Sequence, residues 1–205
     1  MEHFIIFDCE WLTDEGAWER SNCGPNDPDP QIVQIGAVKV VLDQEMTIVQ
    51  RFDQYIQPRK RNGAFWDIPR YFSDFTGITK DVIEKEGKEL VDVINDFSSF
   101  SKDCKALWSW GNDELSIAQS CYLTGINFPL SAVLFGNMSK VFLKSGMPLT
   151  DILKTSSGKL SQYFRVSLEN HREHNALCDV LSIHGALKFL YQSGKMETDW
   201  LVKPV

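Results

Sequence analysis

Asp8 and Glu10 stand one residue apart, with Cys9 between them. On a β-strand, residues two apart project from the same face, so this pair would present its carboxylates side by side. Unpaired, the two charges repel. A divalent cation removes that conflict, and an all-oxygen donor set suits Mg²⁺ or Mn²⁺. The pattern alone is common, since roughly one D-x-E is expected by chance in a chain of this length. Indeed Asp43-Gln44-Glu45 is a second one, in a polar turn where solvated charges need no explanation. A third acid, Asp113, follows the apolar run that ends in Trp108-Ser109-Trp110-Gly111. A carboxylate just past the C-terminal end of a strand is well placed to meet a ligand; the competing role is a plain helix N-cap. Glu114 is adjacent and contests the position. Farther on, His174-Asn175-Ala176-Leu177-Cys178-Asp179 sets a histidine five residues before an aspartate. His3 and Asp8 repeat that spacing, and His171 competes for any histidine role. His184 lies in an apolar helical stretch and reads as a core or helix-surface residue.

The elements that must position these groups are legible from periodicity and composition. Residues 3–8 form a short apolar run that reads as a buried strand. Residues 31–42 and 46–56 are rich in Val and Ile around a polar turn and read as a hairpin. Residues 79–86 read as helical, and 89–101 place Leu90, Val93, Ile94 and Phe97 at helical spacing. Residues 105–110 suggest another strand, 113–123 a helix that Asp113 could cap, and 131–135 a last strand. Several short helices follow, then a long helix from about 173 to 192, stopped by Gly194. Asp179 would open that helix beside the core-facing Leu177 and Val180, with His174 at its mobile edge, within reach of water. The stretches Asp14–Pro30 and Pro58–Pro69 read as loops. Neither divides the chain, so 1–205 is expected to be a single α/β domain with a mixed sheet.

Hydrophobic residues make up 43% of the 205 and charged residues 24%, as in an ordinary water-soluble globular protein. No apolar run approaches the ~20 residues of a membrane-spanning helix. The start, Met1-Glu2-His3, has neither the basic opening nor the cleavage site of a secretory leader, so a cytoplasmic location is expected. The five cysteines (Cys9, Cys23, Cys104, Cys121, Cys178) are scattered and form no C-x-x-C, which argues against disulfides and structural zinc. A net charge of -7 argues against a broad basic surface. It leaves room for a site that grips few nucleotides, and for carboxylates whose charge a metal would offset.

Taken in order, these segments resemble the DEDDh group of 3′→5′ exonucleases, of the ribonuclease H-like superfamily. Phe7-Asp8-Cys9-Glu10 resembles the first motif, and Gln31 to Val38 (QIVQIGAV) the strand that follows it. Thr76-Gly77-Ile78-Thr79 resembles the group's T-G-I/L-T turn. Ser109-Trp110-Gly111-Asn112-Asp113 resembles the second motif as the RNA-trimming branch writes it, and His174 to Asp179 the third. Two features depart from the pattern. The Asp14–Pro30 loop is long, and the spacing after Trp110-Gly111 is one residue short, so that by strict offset Glu114 would replace Asp113.

The resemblance implies a five-stranded mixed sheet with one antiparallel strand and helices on both faces. It implies hydrolysis with two Mg²⁺ or Mn²⁺ ions, which about 4 Å apart can stabilise both the attacking and the leaving oxygen. Asp8 would bridge the ions, Glu10 and Asp179 would complete one site, and Asp113 would support the other, partly through water. His174 would deprotonate the attacking water. The expected partner is single-stranded nucleic acid with a free 3′ end, RNA slightly ahead of DNA, and the product a nucleoside 5′-monophosphate. Trp11, Leu12, Gly77 and Ile78 would meet the terminal bases, although Trp11, Leu12 and Ile78 could equally be core residues. Arg59, Lys60, Arg61 and Arg70 could touch phosphate, or simply line a solvated loop. A DNA-specific proofreading-type enzyme and a non-catalytic binding or regulatory domain are the alternatives; a missing carboxylate would favour the latter, and none is missing.

Overall fold

The computed structural model describes residues 2–22, 24–168 and 172–204. Five strands form one sheet in the order β3-β2-β1-β4-β5. They are β1 (His3–Trp11), β2 (Ile32–Val41), β3 (Ile48–Tyr55), β4 (Leu107–Ser109) and β5 (Phe135–Asn137). β2 runs antiparallel to both β1 and β3, whereas β4 is parallel to β1 and β5 to β4. β2 is therefore the single reversed strand, as the resemblance implies for this fold. Between β3 and β4 lie α1 (Arg70–Thr76), α2 (Lys80–Glu86) and α3 (Leu90–Phe100). α4 (Asp113–Thr124) joins β4 to β5. After β5 come α5 (Met138–Lys144), α6 (Leu149–Ile152), α7 (Leu160–Tyr163) and the long α8 (Ala176–Gln192).

β1 is the central strand, and its alternation divides the core. Ile5, Phe7 and Cys9 face α3 and α4, packing with Phe97, Ile117 and Leu107. Phe4 and Ile6 face α8, packing with Val180, Ile183 and Leu187. Both faces being covered explains why residues 4–7 are apolar without interruption. Asp8 and Glu10 continue the Phe4–Ile6 row, toward α8. A third cluster, Leu12, Val33, Phe72, Ile78 and Ile83, seats α1 and α2 beyond the end of β1.

Four boundaries differ from the sequence expectation. β1 runs to Trp11, not Asp8, because Asp8 and Glu10 keep their ladder pairing with Gly36 and Gln34. α8 begins at Ala176 rather than near 173, since Asn175 caps it by accepting from Cys178 N. At α4 the capping position falls to Asn112, so Asp113 is the first helical residue and not the cap. Residues 132–134 form a short 3₁₀ turn, and the last strand starts only at Phe135. Gly194 does follow α8 in the left-handed region, φ 69°. Among the described residues no helix is long and apolar enough to cross a membrane.

Candidate metal-binding active site

The sheet's close approach to α8 builds the site. Asp8 is paired with Gly36 on β2, and a Cβ at Gly36 would lie 2.3 Å from the backbone nitrogen of Leu177. Only glycine lets the first turn of α8 rest on the sheet there. Gln34, fully buried and paired with Glu10, fixes the same junction: its Oε1 accepts from Ala176 N at 3.1 Å, and its Nε2 donates to Asp53 at 2.7 Å. Asp179 then sits in the opening turns of α8, where the helix end favours negative charge. Its carboxylate packs so closely on Gly158 that a Cβ at that glycine would come within 2.5 Å of Oδ1. The Ser157 hydroxyl donates to Asp179 Oδ2 at 3.2 Å and also reaches Asp8.

Asp8, Glu10, Asp113, His174 and Asp179 all line one cleft of about 660 Å³. Single ligand atoms of Glu10, His174 and Asp179 lie within 4.8 Å of one another, close enough to share a cation. The four acids are buried, and Asp113 Oδ2 and Asp179 Oδ1 have no hydrogen-bond partner among the described residues. Buried carboxylate oxygens normally find donors. Here the electrostatics work against ionisation. Burial, then Asp113, Asp179 and Glu10, hold Asp8 well above the usual carboxylate range. Burial and the neighbouring acids push Glu10 and Asp113 up to about 8. Burial pushes Asp179 up to about 7, although Ser157 and the His174 backbone N–H lower it. Orphaned oxygens and mutually repelling acids are what a divalent cation would satisfy, so the residues fit the metal that the sequence implies.

His174 occupies the left-handed region, φ 60°, which lets its N–H turn to Asp179. Its ring is not free at the helix edge as expected. It stacks on Phe75 with centroids 3.8 Å apart, and Phe75 in turn stacks on Tyr71. Burial lowers its pKa from the ordinary value. His171 lies outside the described residues. Glu114 is half-buried and does not line the cleft, whereas Asp113 does.

The expected base-contacting residues divide. Trp11 lines the cleft. Leu12 and Ile78 do not: both are buried in the cluster beneath α1 and α2, where their apolar side chains are covered by Val33 and Phe72. Gly77 ends α1 at φ 79°, a conformation that favours glycine, and lies against the end of the Arg172 side chain. Arg59 is engaged by Glu89 and Phe65, Lys60 by Trp66, and Arg70 by Asp74. Sequence reasoning missed Ser156, Ser157, Trp18, Tyr71, Phe75 and Trp110 on the cleft wall. Only the i,i+4 pair Tyr71/Phe75, just before the T-G-I-T turn, carried a local signal.

A family model described as Exonuclease (RNase T) matches residues 5–108. No curated protein matches by sequence. Among solved structures, the nuclease domain of 3'hExo, a DEDDh family member bound to rAMP, superposes with TM-score 0.75 at 19% identity, covering 96% of this chain and 95% of that one. Cell-death related nuclease 4 gives TM-score 0.68 at 20% identity, covering 95% and 65%. E. coli exonuclease I in complex with a dA16 oligonucleotide gives 0.63 at 13%, covering 94% of this chain and 41% of that one. At these identities the superpositions speak for the fold.

Proposed function

The chain belongs to the RNase T family of exonucleases, and from that premise we propose that it is a DEDDh-type, metal-dependent 3′→5′ exonuclease that trims single-stranded nucleic acid, RNA at least as well as DNA, to nucleoside 5′-monophosphates. The observation that carries this reading is the buried acid cluster, with two carboxylate oxygens that find no hydrogen-bond partner among the described residues, sharing a cleft with His174. Asp8, Glu10, Asp113 and Asp179 would hold two Mg²⁺ or Mn²⁺ ions. Bound there, the ions would supply charge stabilisation for the attacking and leaving oxygens.

The chain's own groups do the rest. His174, beside Glu10 and Asp179, takes a proton from the attacking water. Oxygen joins phosphorus as the bond to the upstream 3′ oxygen breaks; that oxygen takes a proton from solvent to become the new 3′-hydroxyl, and the terminal nucleotide leaves with its 5′-phosphate. Because its pKa is lowered by burial, His174 is neutral and ready to accept at neutral pH. Phe75 and Tyr71 hold the ring against drifting. Trp11 offers a face to the terminal base, a contact that tolerates any sequence. The preference for RNA rests on the wording of the Ser109–Asp113 segment, and the rAMP bound by the 3'hExo domain agrees with it.

The test uses matched 5′-labelled RNA and DNA, linear and circular, with Mg²⁺ or EDTA. Expected are stepwise 3′ shortening, release of 5′-mononucleotides, hindrance by a 3′-phosphate, slower cutting of blunt duplex, and no turnover in EDTA. Cleavage of circles at a comparable rate would replace the exonuclease by an endonuclease. Digestion of DNA alone would move the substrate to DNA.

A further inference from the structure

The long Asp14–Pro30 loop carries Trp18 into the cleft. That side chain is 72% exposed, yet it stands beside Trp11, ring centroids 6.5 Å apart and planes tilted by 30°. A large apolar side chain left to water is informative when it borders a site. The loop that displays it is braced. The Arg20 guanidinium donates to Asp27 and to the Glu15 carbonyl at 3.0 Å, and Asp27 accepts from Gly24 N at 2.8 Å. Ala17 is fully buried, and its carbonyl accepts from Asn22 N at 2.8 Å. Trp18 is thus presented on a fixed support, which lowers the entropic cost of a contact.

The charges around it decide which contact. No Lys or Arg is among the described residues that line the cleft, while Asp14 and Glu19 line it next to Trp18. Arg20, the nearest cation in the chain, is occupied by Asp27. Beside Trp18 the wall is acidic and offers phosphate no cationic side chain. What it offers a nucleic acid is ring surface, and every base has a face that can stack.

We propose that Trp18 extends the surface begun by Trp11 into a second stacking position, which takes the base adjoining the terminal nucleotide, so that on this wall of the cleft the substrate is gripped through its bases. This rests on the exonuclease reading above. It makes the loop that departs from the family pattern a determinant of substrate grip.

The experiment measures hydrolysis of a short 5′-labelled single-stranded RNA by the full chain with Mg²⁺, comparing wild type, Trp18→Ala and Trp18→Phe. Loss of one stacked base should raise KM roughly tenfold in the Ala variant with kcat little changed, and Phe should restore most of it. An RNA abasic at its penultimate position should raise the wild-type KM by a similar factor and leave the Ala variant indifferent. The dependence of KM on salt, which reports phosphate contacts, should be the same in wild type and Trp18→Ala. An unchanged KM in Trp18→Ala, an equal abasic penalty in both proteins, or a shallower salt dependence in the variant overturns the stacking position and leaves the exonuclease reading intact. Wild-type protein that hydrolyses neither RNA nor DNA overturns both.

Discussion

Asp8-Cys9-Glu10 and Asp43-Gln44-Glu45 share one pattern and meet opposite fates. In the turn after β2, Asp43 accepts from the backbone nitrogens of Glu45 and Thr47, each at 3.0 Å, and from the Thr47 side chain. These donors hold its carboxyl below the ordinary value. Glu45, exposed, pairs with Lys188 at 2.8 Å. On β1 the same spacing is buried, faces two further acids, and is pushed the other way. The turn leaves Glu45 to Lys188 of α8 and satisfies Asp43 with its own backbone. A strand cannot, because its N–H groups belong to the ladder. Carboxylates placed on a central strand need a partner from outside the chain, and that separates a structural pair from a cation site better than spacing does.

The sharpest way to break this comparison is to neutralise one acid of each kind. Asp8→Asn or Asp179→Asn should reduce turnover by roughly 10³-fold or more, the rate equivalent of several kcal/mol of lost metal-ion stabilisation, while the fold survives. Asp43→Asn should leave turnover alone. Asp113→Ala should follow Asp8, and Glu114→Ala should keep most activity, since only Asp113 lines the cleft. A ranking with Glu114 above Asp113 would show that the one-residue offset was right. Comparable loss in Asp43→Asn would end the distinction between the two pairs.

The next effect in size belongs to His174. Its replacement by Ala should slow the chemical step roughly 10²–10⁴-fold with cation binding retained. Activity needs the neutral imidazole, so the wild-type rate should rise with pH, and burial sets the midpoint below 6.5. That limb should be missing from the variant. His171→Ala should retain it; if His171 is the residue whose loss flattens the profile, the base has been misassigned.

How much of this was legible in the residues depends on how far apart the partners lie in the chain. The sheet was readable because Val/Ile runs and apolar alternation are local, and the acids because their types and order are unusual together. The extent of β1 was not, since two carboxylates inside a buried strand contradict the hydrophobic pattern that marks a strand. Gly36 against Leu177, Gln34 against Ala176 and Gly158 against Asp179 join segments far apart in sequence, and no window contains both members of any pair. Leu12 and Ile78 could be taken for base contacts because an apolar residue beside a motif looks the same whether it faces a ligand or the core; the cluster with Phe72 and Val33 decides.

The smallest effect tests the comparison without catalysis. In the metal-free fold, burial and neighbouring acids push Glu10 and Asp113 up to about 8, and burial pushes Asp179 up to about 7, from ordinary values of 4.5 and 3.8. Between those limits the folded chain holds more protons than the unfolded chain, so stability must fall as pH rises through the window. The thermal midpoint in EDTA should therefore decline from about pH 5 toward about pH 8. Mg²⁺ should restore it at the upper end, because binding to the folded form alone adds stability. Asp179→Asn removes one titrating acid and the charge that raises Glu10 and Asp113, and should flatten the decline. Asp43 has the opposite sign. Its lowered value gives stability that is present above 3.8 and lost as pH falls through its folded pKa. Asp43→Asn should thus cost a little at neutral pH, cost nothing in strong acid, and leave the slope between neutral and alkaline pH untouched. Parallel midpoint curves for wild type and Asp179→Asn across the window would mean that the clustered acids do not strain the metal-free fold, and the case for a cation there would lose its electrostatic footing.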